Sequence, residues 1–172
     1  EELLNFLLVE GYDVEKGYIS DSAIMIKKGS SIEKNSLYTK GMFTVQDESA
    51  MLVSECLNLR YNDTVLDICS APGTKGTHVS EILNNTGKVL AFDIHTHKLK
   101  LIEDNAKRLG IFNIEVKLGD ASKFNRQYLN SADKILLDVP CSGLGIIRKK
   151  PEIKWTKTLK DLKDIEKTQR VI

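Results

Sequence analysis

The chain has 172 residues, enough for one ordinary domain or for one domain with a small appendage. Apolar residues make up 41% and charged residues 28%, which excludes a disordered or fibrous chain. The net charge is only +1, and no apolar run exceeds four residues, which excludes a membrane-spanning helix and a signal-peptide core.

Residues 1 to 40 read as a small α+β appendage. Leu3, Leu4, Leu7 and Leu8 recur at helical spacing within Glu1 to Val9. Gly11 interrupts them, Ala23 to Ile26 is a short apolar strand, and Lys28-Gly29-Ser30-Ser31 is a turn. A helix is predicted from Gln46 to Leu57, and Cys56 is expected to pack in the core. From there strands and helices alternate. Thr64 to Cys69 is a strand, Ser70 to Gly73 a turn, and Thr74 to Leu83 a helix closed by Asn85-Thr86-Gly87. Lys88 to Asp93 is a second strand, and His97 to Leu109 a helix stopped by Gly110. Ile114 to Leu118 and Lys134 to Asp138 are further strands, and a last helix runs from Thr158 with Leu159, Leu162, Ile165 and Ile172 on one stripe.

This order predicts an α/β fold over residues 41–172: a Rossmann-like parallel sheet of about four strands, covered on both faces, incomplete at its C-terminal side. Right-handed crossovers would set the strand ends Cys69, Asp93, Leu118 and Asp138 along one edge, where ligands bind in such sheets.

The loop Cys69-Ser70-Ala71-Pro72-Gly73-Thr74-Lys75 has neither the G-x-G-x-x-G of a dinucleotide site nor the G-x-x-x-x-G-K-[ST] of a triphosphate site. What remains is a glycine turn feeding a helix N-terminus, suited to a small anionic group. Asp93 ends the next strand, where a carboxylate can accept both hydroxyls of a ribose or simply cap the following helix. Asp120 is a third acid on the same edge, placed for an adenine amino group. Ribose and adenine acceptors without a pyrophosphate cradle point to S-adenosylmethionine.

Asp138-Val139-Pro140-Cys141 adds a reaction edge. C5 of a pyrimidine becomes nucleophilic only after a thiolate adds to C6, and that addition is assisted at N3. Asp138 and Cys141 suit such chemistry. His95 and His97, two residues apart, make poor metal ligands, and no Cys or His pair has zinc spacing. No metal is expected. Three cysteines at wide spacing fit a reducing, cytoplasmic compartment rather than a disulfide framework.

The run from Tyr38 to Ser49, the blocks CSAPGTKGTH and FDIHTHK, and DVPCSGLGIIRKKPEIKW resemble the RNA cytosine-C5 methyltransferase family over essentially the whole chain. The resemblance implies that Cys69, Ser70, Ala71, Pro72, Gly73, Thr74, Lys75, Asp93, Asp120 and Asp138 bind S-adenosylmethionine. It implies that Asp138 contacts N3 and that Cys141 serves product release. The covalent nucleophile is then a second cysteine in a Thr-Cys-Ser segment, which this sequence lacks. It implies small-subunit ribosomal RNA as substrate, flanking segments of a longer protein on both sides, and an appendage of RNA-binding type. By the same reading the 172 residues alone are inactive and aggregation-prone, with the last strand left as an unpaired edge. The family usually has Gly-Gly-Lys where this chain has Gly73-Thr74-Lys75.

Arg148 to Arg170 holds nine Lys/Arg against four Asp/Glu, while the first 147 residues hold sixteen against twenty. Arg148, Lys149, Lys150 and Lys154 can neutralise phosphates, and Trp155 can stack on an unpaired base or pack at a helix entrance. The competing class is a non-catalytic RNA- or cofactor-binding module. An amine methylator is disfavoured, because no aromatic residue follows Pro140.

Overall fold

The computed structural model describes residues 1–172. In chain order it comprises α1 (Glu2–Val9), β1 (Asp13–Lys16), β2 (Ile24–Lys28), α2 (Ser36–Thr39), α3 (Glu48–Glu55), β3 (Thr64–Asp67) and α4 (Thr74–Ile82). There follow β4 (Lys88–Asp93), α5 (Thr96–Arg108), β5 (Ile114–Leu118), β6 (Lys134–Leu136), α6 (Ile153–Thr156) and α7 (Leu159–Val171).

β3 to β6 form one parallel sheet in the order β5-β4-β3-β6. The crossovers through α4 and α5 step in one direction along that sheet. The right-handed rule therefore places both helices on one face. Val79 and Leu83 of α4 meet Val65, Val89 and Leu136 there, all five buried. The β5-to-β6 connection steps the other way and crosses on the opposite face. That segment carries only a short 3-10 turn, Arg126–Tyr128. Leu66, Leu90 and Phe92 are thus covered by Tyr128 and Ala132 rather than by an α-helix. The sheet is covered on both faces, as expected, with a loop segment taking the place of an α-helix on the second.

β1 and β2 pair antiparallel, and Leu7, Tyr12 and Val14 form a small second core. β1 escapes a pattern-based reading because DVEK offers one buried residue, Val14, among three polar ones. Glu48 joins this unit to the sheet, since its Oε1 accepts the backbone N–H groups of Ile19 and Ser20 at 2.6 and 2.9 Å. Arg108 makes the second tie. Its guanidinium donates to the Tyr38 and Phe43 carbonyls at 2.9 and 2.8 Å, and stacks 4.0 Å over the Tyr38 ring.

Cys56 is exposed, contrary to expectation. Ser54 is the fully buried residue of α3, with its hydroxyl donating to the Lys75 carbonyl, and Cys56 follows at the C-cap. β3 and β6 each stop two residues early, at Asp67 and Leu136, because the chain leaves the ladder to build the loops above. β6 is an edge strand; Ile135 on it and Leu137 just after it are 59% and 50% exposed.

Replacing Arg108 with Ala removes both carbonyl partners and the stacking. It is expected to cost about 2 kcal/mol of stability, read by urea denaturation, with Arg108→Lys recovering only part.

Candidate cofactor and reaction site

The sheet reverses direction at β3, so the loops after β3 and β6 face each other across the switch point. Gly73 turns the first loop into α4 with φ of +98°, and a Cβ there would lie 3.1 Å from the Ile102 backbone of α5. Only glycine meets both demands. Thr74 is already the first residue of α4, which explains why a β-branched residue is accepted there. The loop is then held from β4. Asp93 is buried, and its carboxylate accepts N–H bonds from Ala71 at 3.3 Å and from His95 at 2.9 Å. Asp93 therefore holds the loop and the chain entering α5 together. Two acceptors engaged on a carboxylate leave lone pairs for a further donor.

His95 and His97 are both exposed, with ring centroids 5.5 Å apart. They come this close because His95 sits at the extended N-cap rather than inside the helix. No cluster of three metal-ligating side chains exists in the structure.

A cleft of about 430 Å³ opens on the helix-poor face, lined by Phe92, Leu118, Phe124 and Tyr128 with Asp120 among its polar groups. Asp120 Oδ1 accepts from the Ser122 hydroxyl at 2.6 Å and its backbone N–H at 3.1 Å, and Lys123 lies 3.2 Å from Oδ2. These donors, the Ser122 hydroxyl first, hold the carboxyl below its ordinary range. The larger cleft, about 640 Å³ between the β1–β2 unit and α3 and α4, contains none of these residues.

Lys75 Nζ contacts Asp138 Oδ2 at 2.6 Å across the switch point, so α4 and the β6 loop are joined by an ion pair. Cys141 is exposed three residues on. Beyond it Ile153 is buried beside Gly143, which fixes α6 against the cysteine loop and turns Lys154 and Trp155 outward. Trp155 is 87% exposed, which removes the packing role. Arg148 and Lys150 are exposed, whereas Lys149 is ion-paired with Asp47, at the N-cap of α3. α7 buries no side chain; it starts on a Thr158–Asp161 capping box and touches the β6 loop where Gln169 Nε2 donates to the Pro140 carbonyl at 2.8 Å. Ser70 is buried, Cys69, Ala71, Thr74 and Lys75 are half-buried, and Pro72 is exposed. Burial raises the Cys69 thiol, and Asp93, Asp67 and Asp138 push it further.

One acid went unread in the sequence. Asp67 closes β3 beneath the loop, is 1% exposed, and has no hydrogen-bond partner on either oxygen. Desolvation lifts its carboxyl from 3.8 to about 6. The only sequence signal was an acid interrupting an apolar strand.

The profile described as 16S rRNA methyltransferase RsmB/F matches residues 54–172. A probable ribosomal RNA small subunit methyltransferase B of Bacillus subtilis is 43% identical over 157 residues, covering 91% of this chain and 35% of that protein. A tRNA (cytosine(72)-C(5))-methyltransferase of Pyrococcus horikoshii is 34% identical over 140 residues, covering 81% and 35%. The crystal structure of NSun6 from Pyrococcus horikoshii with SFG superposes at a TM-score of 0.73 and 32% identity, covering 87% of this chain and 39% of that one. The chain thus spans about a third of the length of these curated relatives.

Because its fold disfavours the ionised carboxyl, Asp67 stabilises fully only below about pH 4, and that contribution is lost as pH rises through about 6. Asp67→Asn is therefore expected to raise Tm at pH 8, by up to about 3 kcal/mol in stability, and to change little at pH 4. Calorimetric unfolding at both pH values checks this.

Proposed function

Because the chain belongs to the 16S rRNA methyltransferase RsmB/F family, we propose that its sheet edge is the cofactor and base-activation half of an RNA cytosine-C5 methyltransferase. The observation that carries this is the Lys75–Asp138 ion pair, which ties the cofactor loop to the Pro-Cys loop at the switch point. The cofactor class is S-adenosylmethionine, and the residues fit it. Asp93 retains lone pairs for a ribose, and the aromatic-walled cleft on the helix-poor face suits an adenine with Asp120 among its polar groups. When bound, the cofactor supplies an electrophilic methyl on a sulfonium.

This chain's residues prepare the base. The Asp138 carboxylate accepts from N3 of the cytosine once that nitrogen has taken a proton from solvent, which assists addition at C6, and Lys75 keeps the carboxylate oriented. Cys141, exposed beside it, assists removal of the C5 proton at product release. The covalent nucleophile belongs to a Thr-Cys-Ser segment outside these residues, so the 172 residues alone bind cofactor without transferring methyl groups. Residues 1–40 form the inner part of an RNA-binding appendage. The substrate is small-subunit ribosomal RNA, handled in the cytoplasm, with an unpaired target base whose extrusion costs little. Arg148, Lys150, Lys154 and the exposed Trp155 receive the flanking strand, with Lys149 less available because Asp47 already pairs it. The alternative is a non-catalytic RNA- or cofactor-binding module.

Incubating the whole protein with small-subunit ribosomal RNA, transfer RNA and labelled S-adenosylmethionine, then mapping 5-methylcytosine, tests the reading. A product on ribosomal RNA supports it, a product on transfer RNA alone reassigns the substrate, and none on either favours the module. Asp93→Ala is expected to weaken cofactor binding about 10- to 100-fold by calorimetry. Arg148→Ala and Lys150→Ala should each reduce the slope of log affinity against log salt by about 0.7 to 0.9, with a smaller effect for Lys149→Ala.

A further inference from the structure

Asp67 sits where the cofactor loop leaves the sheet, shut from solvent and with no hydrogen bond formed, its one neighbouring hydroxyl being that of Ser70. Ser70, the loop residue above it, has a buried hydroxyl that is equally unpartnered. Both face Gly76 on the first turn of α4. A Cβ built on Gly76 would fall 2.7 Å from Asp67 Oδ2 and 3.2 Å from Ser70 Oγ, so the missing side chain is what leaves room for this pair. A buried carboxylate with a hydroxyl beside it and no donor is an incomplete arrangement, because each unmet polar group carries its full desolvation cost. A proton on the carboxyl would complete it, as an O–H aimed at Ser70 Oγ.

The charges around it decide when that proton stays. Asp93 faces Asp67 from β4, Asp138 from the β6 loop and the Cys69 thiol from the loop itself; Lys75 of α4 is the only cation and is already paired with Asp138. Three carboxyls against one ammonium leave this edge short of positive charge.

Resting on the S-adenosylmethionine assignment, we propose that Asp67 is a positioning residue that gives up a proton when the cationic cofactor binds. In the proton-bearing form its O–H donates to Ser70 Oγ. On binding, the O–H bond breaks, the electron pair stays on the carboxylate, and the proton passes to solvent. The carboxylate then accepts from the Ser70 hydroxyl, a bond that is not formed in the free chain. Its range is the interval over which a carboxyl lifted to about 6 titrates. Cofactor affinity gains from ionised Asp67, so binding tightens as pH rises through that interval and levels off above it. The cofactor's charge is the lever, so the neutral thioether product, S-adenosylhomocysteine, drives less proton release than the sulfonium.

The test is carboxyl ¹³C NMR of the whole protein from pH 4 to pH 8, with and without S-adenosylmethionine, alongside calorimetry near pH 6 in buffers of different ionisation enthalpy. The expected result is an Asp67 titration lowered by about one unit on binding, with proton release greater for S-adenosylmethionine than for S-adenosylhomocysteine. Asp67→Asn should bind with an affinity that no longer rises between pH 5 and pH 8. An Asp67 signal that titrates identically in the free and bound chain overturns the proposal, and that measurement needs no variant. So does an Asp67→Asn chain that keeps the wild-type pH dependence. No binding at any pH removes the cofactor assignment instead, and the proposal with it.

Discussion

The single reversal of strand order at β3 governs this molecule. Crossovers that run one way must place α4 and α5 together on one face, and the crossover that runs back must use the other. Everything at the edge follows. The loop after β3 and the loop after β6 are brought side by side although sixty-three residues separate Lys75 from Asp138. The helix-poor face is left with room for a cleft under Phe92 and Tyr128.

The loop itself is held by little. Asp93 supports it from β4 through the Ala71 and His95 backbone groups, Ile102 limits it from α5, and Lys75 ties it forward to Asp138. Beneath lies Asp67, a buried acid that opposes stability as it ionises. A core built for stability alone would not place it there. Strain of this kind fits a site whose geometry is completed by a ligand rather than by the chain.

The parallel sheet, its four strands and the helices α4 and α5 were legible in the sequence, because buried parallel strands are near-continuous apolar runs and glycines mark where helices stop. Asp93 was legible for the same reason: it ends such a run. β1 was not, since DVEK carries no alternation strong enough to outweigh its charge. Nor was the fate of Cys56, since α3 buries Ser54 instead and no periodicity distinguishes a hydroxyl that bonds Lys75 from one that meets water.

Residue order alone carried the family and the cofactor class, through the resemblance of its motif blocks, and marked Asp93, Asp120 and Asp138 while leaving Asp67 unread, because motif blocks and strand ends are local features of the chain. Tertiary structure decided which groups meet. It paired Lys75 with Asp138 and Lys149 with Asp47, turned Trp155 outward by burying Ile153, and shut Asp67 away from solvent. Those outcomes turn on distances between segments far apart in the chain. They are set by handedness and packing, and no window of neighbouring residues encodes them.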